Sequence, residues 1–156
     1  MAIASTLQDY LQSQKIAYEV VPHPHTMTAL AAAHSAGIAE DRIVKGVLLE
    51  DSAGYLLVAV PASRHVRLGE LHRVLNRRLG LATEAELKDV FKDCELGAIP
   101  PVGTPYGLET VIDDAVAEAP EVYFEAGDHR TLVRLGAEAY AQLVAGARHG
   151  RFSMPE

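Results

Sequence analysis

Ile43-Val44-Lys45-Gly46-Val47-Leu48-Leu49 is followed, after Glu50-Asp51-Ser52-Ala53-Gly54, by Tyr55-Leu56-Leu57-Val58-Ala59-Val60. Two apolar runs of strand length, parted by a short polar stretch that ends in glycine, predict a β-hairpin. Runs this apolar belong in an interior, where an unpaired ammonium is costly. Lys45 on the first strand therefore needs a reason. It either lays its carbon stem on the core and keeps its nitrogen in water, or it serves a site.

Working outward from the hairpin, the chain alternates short elements with strong punctuation. Ser5-Thr6-Leu7-Gln8 has capping-box spacing, and Leu7, Tyr10 and Leu11 recur at helical intervals, which predicts a first helix ending near Gln14. Tyr18 to Val21 reads as a strand, and His23-Pro24-His25 as a loop, because proline lacks a ladder donor. Thr28 is a good N-cap for the alanine-rich stretch Ala29 to Ala36, and Gly37 sits where a left-handed residue ends a helix. After the hairpin, a helix is expected from Leu68 to Asn76, with Leu68, Leu71 and Leu75 on one side and the Arg73, Arg77 pair on another. Thr83-Glu84-Ala85-Glu86 is a second capping box, opening a helix through Phe91.

Gly97 to Gly107 holds three prolines and three glycines, too many breakers for a regular element, and reads as a shaped loop. Thr110 to Asp113, Glu121 to Phe124 and Arg130 to Leu135 read as short strands, and Ala137 to Ala145 as a closing helix with Leu143 and Val144 inward. Residues 148–156 are expected as a poorly ordered tail beyond a domain of residues 1–147. Strands arrive in hairpins and runs rather than in strict alternation with helices. The expected fold is α+β, with a mixed, strongly curved, barrel-like sheet flanked by helices.

Composition narrows the function. At 156 residues, 49% apolar and 22% charged, the chain suits one globular domain with a single core. Cys94 is the only cysteine, so neither an intrachain disulfide nor a cysteine-rich zinc site is available. Met1-Ala2-Ile3-Ala4-Ser5-Thr6 lacks a basic leader, and no apolar run approaches the roughly 18 residues of a membrane span, so a soluble cytoplasmic protein is expected. A formal net charge of −7 argues against coating DNA or RNA through bulk electrostatics. It leaves room for a local basic patch, and Arg64, His65, Arg67, His72, Arg73, Arg77 and Arg78 supply one; it reads either as a solvated face or as a phosphate-contacting one. His23-Pro24-His25 lacks the spacing of a zinc site, and Gly103 to Gly107 lacks that of a dinucleotide loop. No cofactor or metal is expected.

Lys45, the G-x-x-x-P loop Gly97-Ala98-Ile99-Pro100-Pro101, and the late turn Gly127-Asp128-His129 after Val122-Tyr123-Phe124-Glu125 stand in one order along the chain. Together they resemble the YbaK-like aminoacyl-tRNA deacylases, the family that includes the editing domain inserted in bacterial prolyl-tRNA synthetases. The resemblance runs from the first helix to the strand ending near Leu135. It implies that Lys45 is the essential charged residue, holding the phosphate or ribose side of the terminal adenosine and sharing in oxyanion stabilisation. It implies that the Gly97 to Pro101 loop positions substrate and water, and that His25, Thr26, Met27 and Thr28 border the amino-acid pocket, Thr28 having a competing role as N-cap. His129 could donate to the aminoacyl group or orient a water, or be a turn residue like Asp128. Gly46 departs from the asparagine of some alanine-editing relatives, which weakens alanine as the substrate.

Hydrolysis of an aminoacyl ester needs a held ester, a water and fixed donors for the oxyanion. No covalent nucleophile is required, and none is conspicuous: there is no G-x-S-x-G elbow, Ser63 has no partner pattern, and Cys94 lies between two acids. The leading expectation is a trans-editing hydrolase acting on the acceptor end of a mischarged aminoacyl-tRNA bearing a small amino acid. The alternatives are a non-catalytic module that binds a tRNA end or an adenosine ligand, and a regulatory partner of an aminoacyl-tRNA synthetase working through Arg73 and Arg77.

Overall fold

The computed structural model describes residues 3–155. Its centre is the hairpin of β2 (Val44–Asp51) and β3 (Gly54–Pro61), antiparallel from Val44 opposite Pro61 to Asp51 opposite Gly54. Further elements complete the chain: α1 (Ser5–Ser13), β1 (Glu19–Pro22), α2 (Ala29–Ala36), β4 (Arg64–Val66), α3 (Leu68–Leu75), β5 (Gly80–Leu81) and α4 (Glu84–Val90). After a long loop follow β6 (Glu109–Asp113), β7 (Glu121–Glu125), β8 (Thr131–Gly136), α5 (Ala137–Leu143), β9 (Arg148–Gly150) and β10 (Ser153–Pro155).

The expected α+β class stands, but the barrel-like sheet does not. The strands divide among a five-stranded mixed sheet ordered β5-β2-β3-β6-β9, a three-stranded antiparallel sheet ordered β1-β8-β7, and the pair β10-β4. No sheet closes on itself. The reason lies in the pairing of β2: beyond β5 its outer edge meets the smaller sheet only through a parallel bridge between Ile43 and Tyr123. Two sheets therefore touch along an edge and then diverge.

β3 is buried on both faces, which its unbroken apolar run requires. Leu56, Val58 and Val60 pack with Leu71 and Leu75 of α3 and with Phe152. Ala59, on the other face, joins Leu7 and Leu11 of α1 and the apolar side of β7 and β8. The two-residue period of the strand thus feeds two separate cores.

Most local signals work as the sequence predicts. The Thr28 hydroxyl caps α2 by accepting from Ala31 N–H at 3.1 Å, and Gly37 closes it at φ 71°. Thr83 and Glu86 form the reciprocal capping box. The box at Ser5 does not form: Ser5 is already helical, and Thr6 N–H donates to Asp93 Oδ2 at 2.9 Å. A carboxylate from a distant loop replaces the local cap. No helix among the described residues is long and apolar enough to cross a membrane.

Residues 148–155 are not a loose tail; Glu156 lies outside the described residues. β9 pairs in parallel with β6, and β10 pairs with β4. Asp113, buried at the end of β6, accepts from Phe152 N–H at 2.9 Å and from Ala115 N–H at 3.0 Å, and Phe152 is itself buried. Asp113→Ala strands the buried Phe152 amide, and should lower stability by about 1–3 kcal/mol. Urea unfolding should record that loss, and amide exchange should accelerate first in residues 148–155.

Candidate active site

From the Ile43–Tyr123 bridge, β2 and β7 run in the same direction. Two residues further along each strand, Lys45 and Glu125 line one cavity of about 210 Å³. Both charges follow apolar runs, and both point where the two sheets part. The rest of the wall is mainly apolar, with Val44, Ile99, Leu81 and Leu87 among its residues. Lys45 is half-buried, with Nζ 3.5 Å from the Ala62 carbonyl. Lys45, Gly46, Ala29 and Gly97 also border an adjoining groove with Met27 and Thr28.

The Gly97 to Pro101 loop reaches Lys45 because residue 46 has no side chain. A Cβ on Gly46 would stand 3.4 Å from both Pro100 O and Pro101 Cα, and 3.2 Å from Leu57 Cδ1. Gly97 adopts φ 83°, and a Cβ there would meet His129 Cε1 and Met27 O at 3.1 Å. Backbone conformation and space both demand glycine. The loop is anchored at several points: Ala98 N–H donates to Glu95 O at 3.1 Å, Glu95 N–H to Gly127 O at 2.7 Å, and the Tyr140 hydroxyl to Pro101 O at 2.7 Å.

The predicted site residues separate into groups. Lys45, Gly97 and Ile99 line the cavity, and Met27 and Thr28 the groove. Ala98, Pro100 and Pro101 are buried behind the rim. Gly127 packs on Ala4 and Cys94, and Asp128 closes the turn by accepting from Arg130 N–H at 2.9 Å and Thr131 Oγ1 at 3.2 Å. Thr26 N–H donates to His129 O, while its buried hydroxyl lacks a protein partner. Arg73 is exposed, whereas Arg77 is held by two 2.8 Å bonds to Asp51. That guanidinium keeps the Asp51 carboxyl down at about 2. The two arginines therefore do not form one free basic stripe.

His129 is buried at φ 60°, a left-handed conformation uncommon outside glycine. Its Nε2 donates to Leu96 O and its Nδ1 faces Glu125 Oε2 at 3.3 Å. His23 Nε2 meets the other carboxyl oxygen, Oε1, at 3.0 Å, and its Nδ1 donates to Pro24 O at 2.7 Å. Burial pushes the Glu125 carboxyl above its ordinary range, against the opposing pull of His23 and then His129. Among the described residues, no group of three histidine, cysteine or acidic side chains is arranged to hold a metal ion. Sequence reasoning passed over Glu125 although its signal matches that of Lys45: one charge at the end of the apolar run Val122 to Phe124.

The environment of Cys94 disfavours its thiolate. Burial, aided by neighbouring Asp93, pushes its thiol up to about 12, and its sulfur lies 3.5 Å from the Tyr106 hydroxyl.

The class so defined is an α+β domain with a small, mainly apolar cavity, a lysine and a carboxyl where two sheets part, and a glycine-proline rim; the described lining includes no serine or cysteine. The family model for the aminoacyl-tRNA editing domain matches residues 23–143, and the chain belongs to that family. Among solved structures, one provisionally described as a trans-editing enzyme for prolyl-tRNA synthetase is 27% identical, with TM-score 0.85 over 97% of this chain and 96% of that one. A scaffold protein from computational epitope-backbone grafting is 25% identical, with TM-score 0.85, covering 98% and 97% of the two chains. A chain from Marinobacter aquaeolei VT8, provisionally described as a signal transduction protein, shares the fold at 22% identity and TM-score 0.82. It contains this fold as 31% of its length, matched by 98% of the present chain. No curated protein matches the sequence.

Gly97→Ala introduces both positive-φ strain and contacts with His129 and Met27. The expected cost exceeds about 1 kcal/mol, read as a lower denaturation midpoint with an unchanged slope. Cys94 in the folded protein should react with iodoacetamide at pH 8 far more slowly than in the urea-unfolded chain.

Proposed function

We propose that this protein hydrolyses the ester of a mischarged aminoacyl-tRNA carrying a small amino acid, acting in trans. The observation that carries the reading is the meeting of Lys45, Gly97 and Ile99 around one cavity, within a chain of the aminoacyl-tRNA editing domain family. The volume of about 210 Å³ and a lining that is mainly apolar around Lys45 and Glu125 suit a small side chain.

In the proposed reaction, water attacks the carbonyl carbon that joins the amino acid to the ribose of the terminal adenosine. The attacking water gives up a proton, the tetrahedral oxyanion collapses with cleavage of the ester bond, and the leaving ribose oxygen takes up a proton in exchange, so that free amino acid and tRNA separate. Lys45 supplies a fixed positive charge beside the ester, holding the phosphate or ribose side and sharing the oxyanion. The anchored Gly97 to Pro101 rim fixes the acyl group, so little reorganisation accompanies the attack. His129 acts from behind the rim, since both ring nitrogens face protein groups. A synthetase that produces the mischarged tRNA is the natural partner.

Purified protein is to be assayed against Ala-, Ser-, Thr- and Cys-tRNA, correctly and incorrectly paired, beside Lys45→Ala. Hydrolysis of one species should fall by at least about 10²-fold in the variant, at an unchanged circular dichroism spectrum. Full activity without the lysine would sink the mechanism, and binding of a tRNA end without turnover would favour a capture module.

A further inference from the structure

His23 and His129 each commit one ring nitrogen to a backbone carbonyl, Pro24 O and Leu96 O respectively. A carbonyl only accepts, so both of those nitrogens carry hydrogen. The opposite nitrogens converge on the two oxygens of one buried carboxyl, that of Glu125. Two nitrogen–oxygen contacts need two further protons. With only one, one contact is left with lone pair against lone pair.

The two contacts are unequal in geometry. His23 and Glu125 are hydrogen-bonded at 3.0 Å, whereas His129 Nδ1 and Glu125 Oε2 are both buried, stand 3.3 Å apart and have no hydrogen-bond partner. An unpaired buried donor–acceptor site of this kind is costly, and one proton would fill it. The same imidazole that would receive the proton holds Leu96 O, and Gly97 packs against its ring.

We propose that Glu125 is a positioning residue: with His23 it takes up one proton onto the His129 contact, and so fixes the Leu96–Gly97 rim of the Lys45 cavity. When that proton is absent, His129 can satisfy Glu125 only by moving its hydrogen to Nδ1, which releases Leu96 O. Other titratable groups around the cluster are Lys45 across the cavity, His25 against the His129 ring with centroids 5.6 Å apart, Asp128 in the preceding turn, and Cys94 beside Gly127. Asp128 is occupied by the Arg130 amide and the Thr131 hydroxyl. Glu125 stands within contact of both imidazoles, His23 and His129. The geometry holds whatever the ligand is; the kinetic consequence rests on the deacylase reading.

The test titrates ¹⁵N-labelled protein over roughly pH 5 to 8, the range in which histidine clusters change charge, following the His23 and His129 ring nitrogens with the Gly97 amide. The expected result is one ring transition that the Gly97 amide follows with the same midpoint. In Glu125→Gln, whose amide donates to His129 Nδ1 without an added proton, the Gly97 amide should no longer follow. Background-corrected deacylation by the wild type should fall about tenfold per pH unit above the midpoint, with KM unchanged, and the Gln variant should be flat. A Gly97 amide indifferent to the ring transition in the wild type overturns the proposal, as does a Gln variant with the wild-type profile scaled by a constant. The wild-type titration needs no variant, so misfolding of Glu125→Gln leaves it decisive. Coupled titration without hydrolysis of any charged tRNA would support the positioning role and overturn the deacylase reading instead.

Discussion

The absence of a side chain at Gly46 is the constraint on which the site depends. Pro100 and Pro101 lie against the backbone of β2 at a distance a Cβ would crowd, and this brings the glycine-proline loop alongside Lys45. The Tyr140 hydroxyl on Pro101 O ties the same loop to the closing helix. Central hairpin, loop and final helix are thereby locked into one unit. In the proposed reaction the stiffness of consecutive prolines would serve the site, because a rim that does not relax can hold an ester at a defined distance from a charge.

A second constraint is electrostatic. Lys45 and Glu125 follow apolar runs on strands that touch at one bridge and then diverge, so the wedge between two sheets has a cation and a carboxyl on its walls. Charges in such places are retained where they serve one another or a ligand. Glu125 is met by two histidines, and the left-handed backbone of His129 is the kind of strain that surrounding structure must hold in place. The proposed acyl transfer to water through fixed charge and dipole, rather than through a serine or cysteine, fits these residues. The half-buried Cys94, whose thiol is pushed up by burial, fits it too.

Much of the fold was legible because its signals are local. The capped starts of α2 and α4, the left-handed end at Gly37 and the central hairpin each depend on residues within a few positions. The misreadings are all non-local. Ser5 lost its expected cap to Asp93, 87 positions away from the amide it serves. Residues 148–155 looked like a tail because their few strand-forming residues become a strand only against β6 and β4. The barrel-like sheet failed at a single edge, where β2 and β7 share one bridge instead of a ladder.

By itself the sequence determined that a lysine lies inside an apolar strand, that glycine follows it, and that a breaker-rich loop and a glycine-led turn come later in a fixed order. Those are properties of neighbours along the chain, set by backbone conformation and side-chain size. Tertiary structure alone decided that Arg77 is consumed by Asp51, that His129 stands behind the rim, and that Glu125 joins Lys45 at the cavity. His23 and Glu125 are 102 positions apart. A hydrogen bond between such residues depends on how two sheets meet, and strand pairing across that distance leaves no periodic trace in the residues it unites.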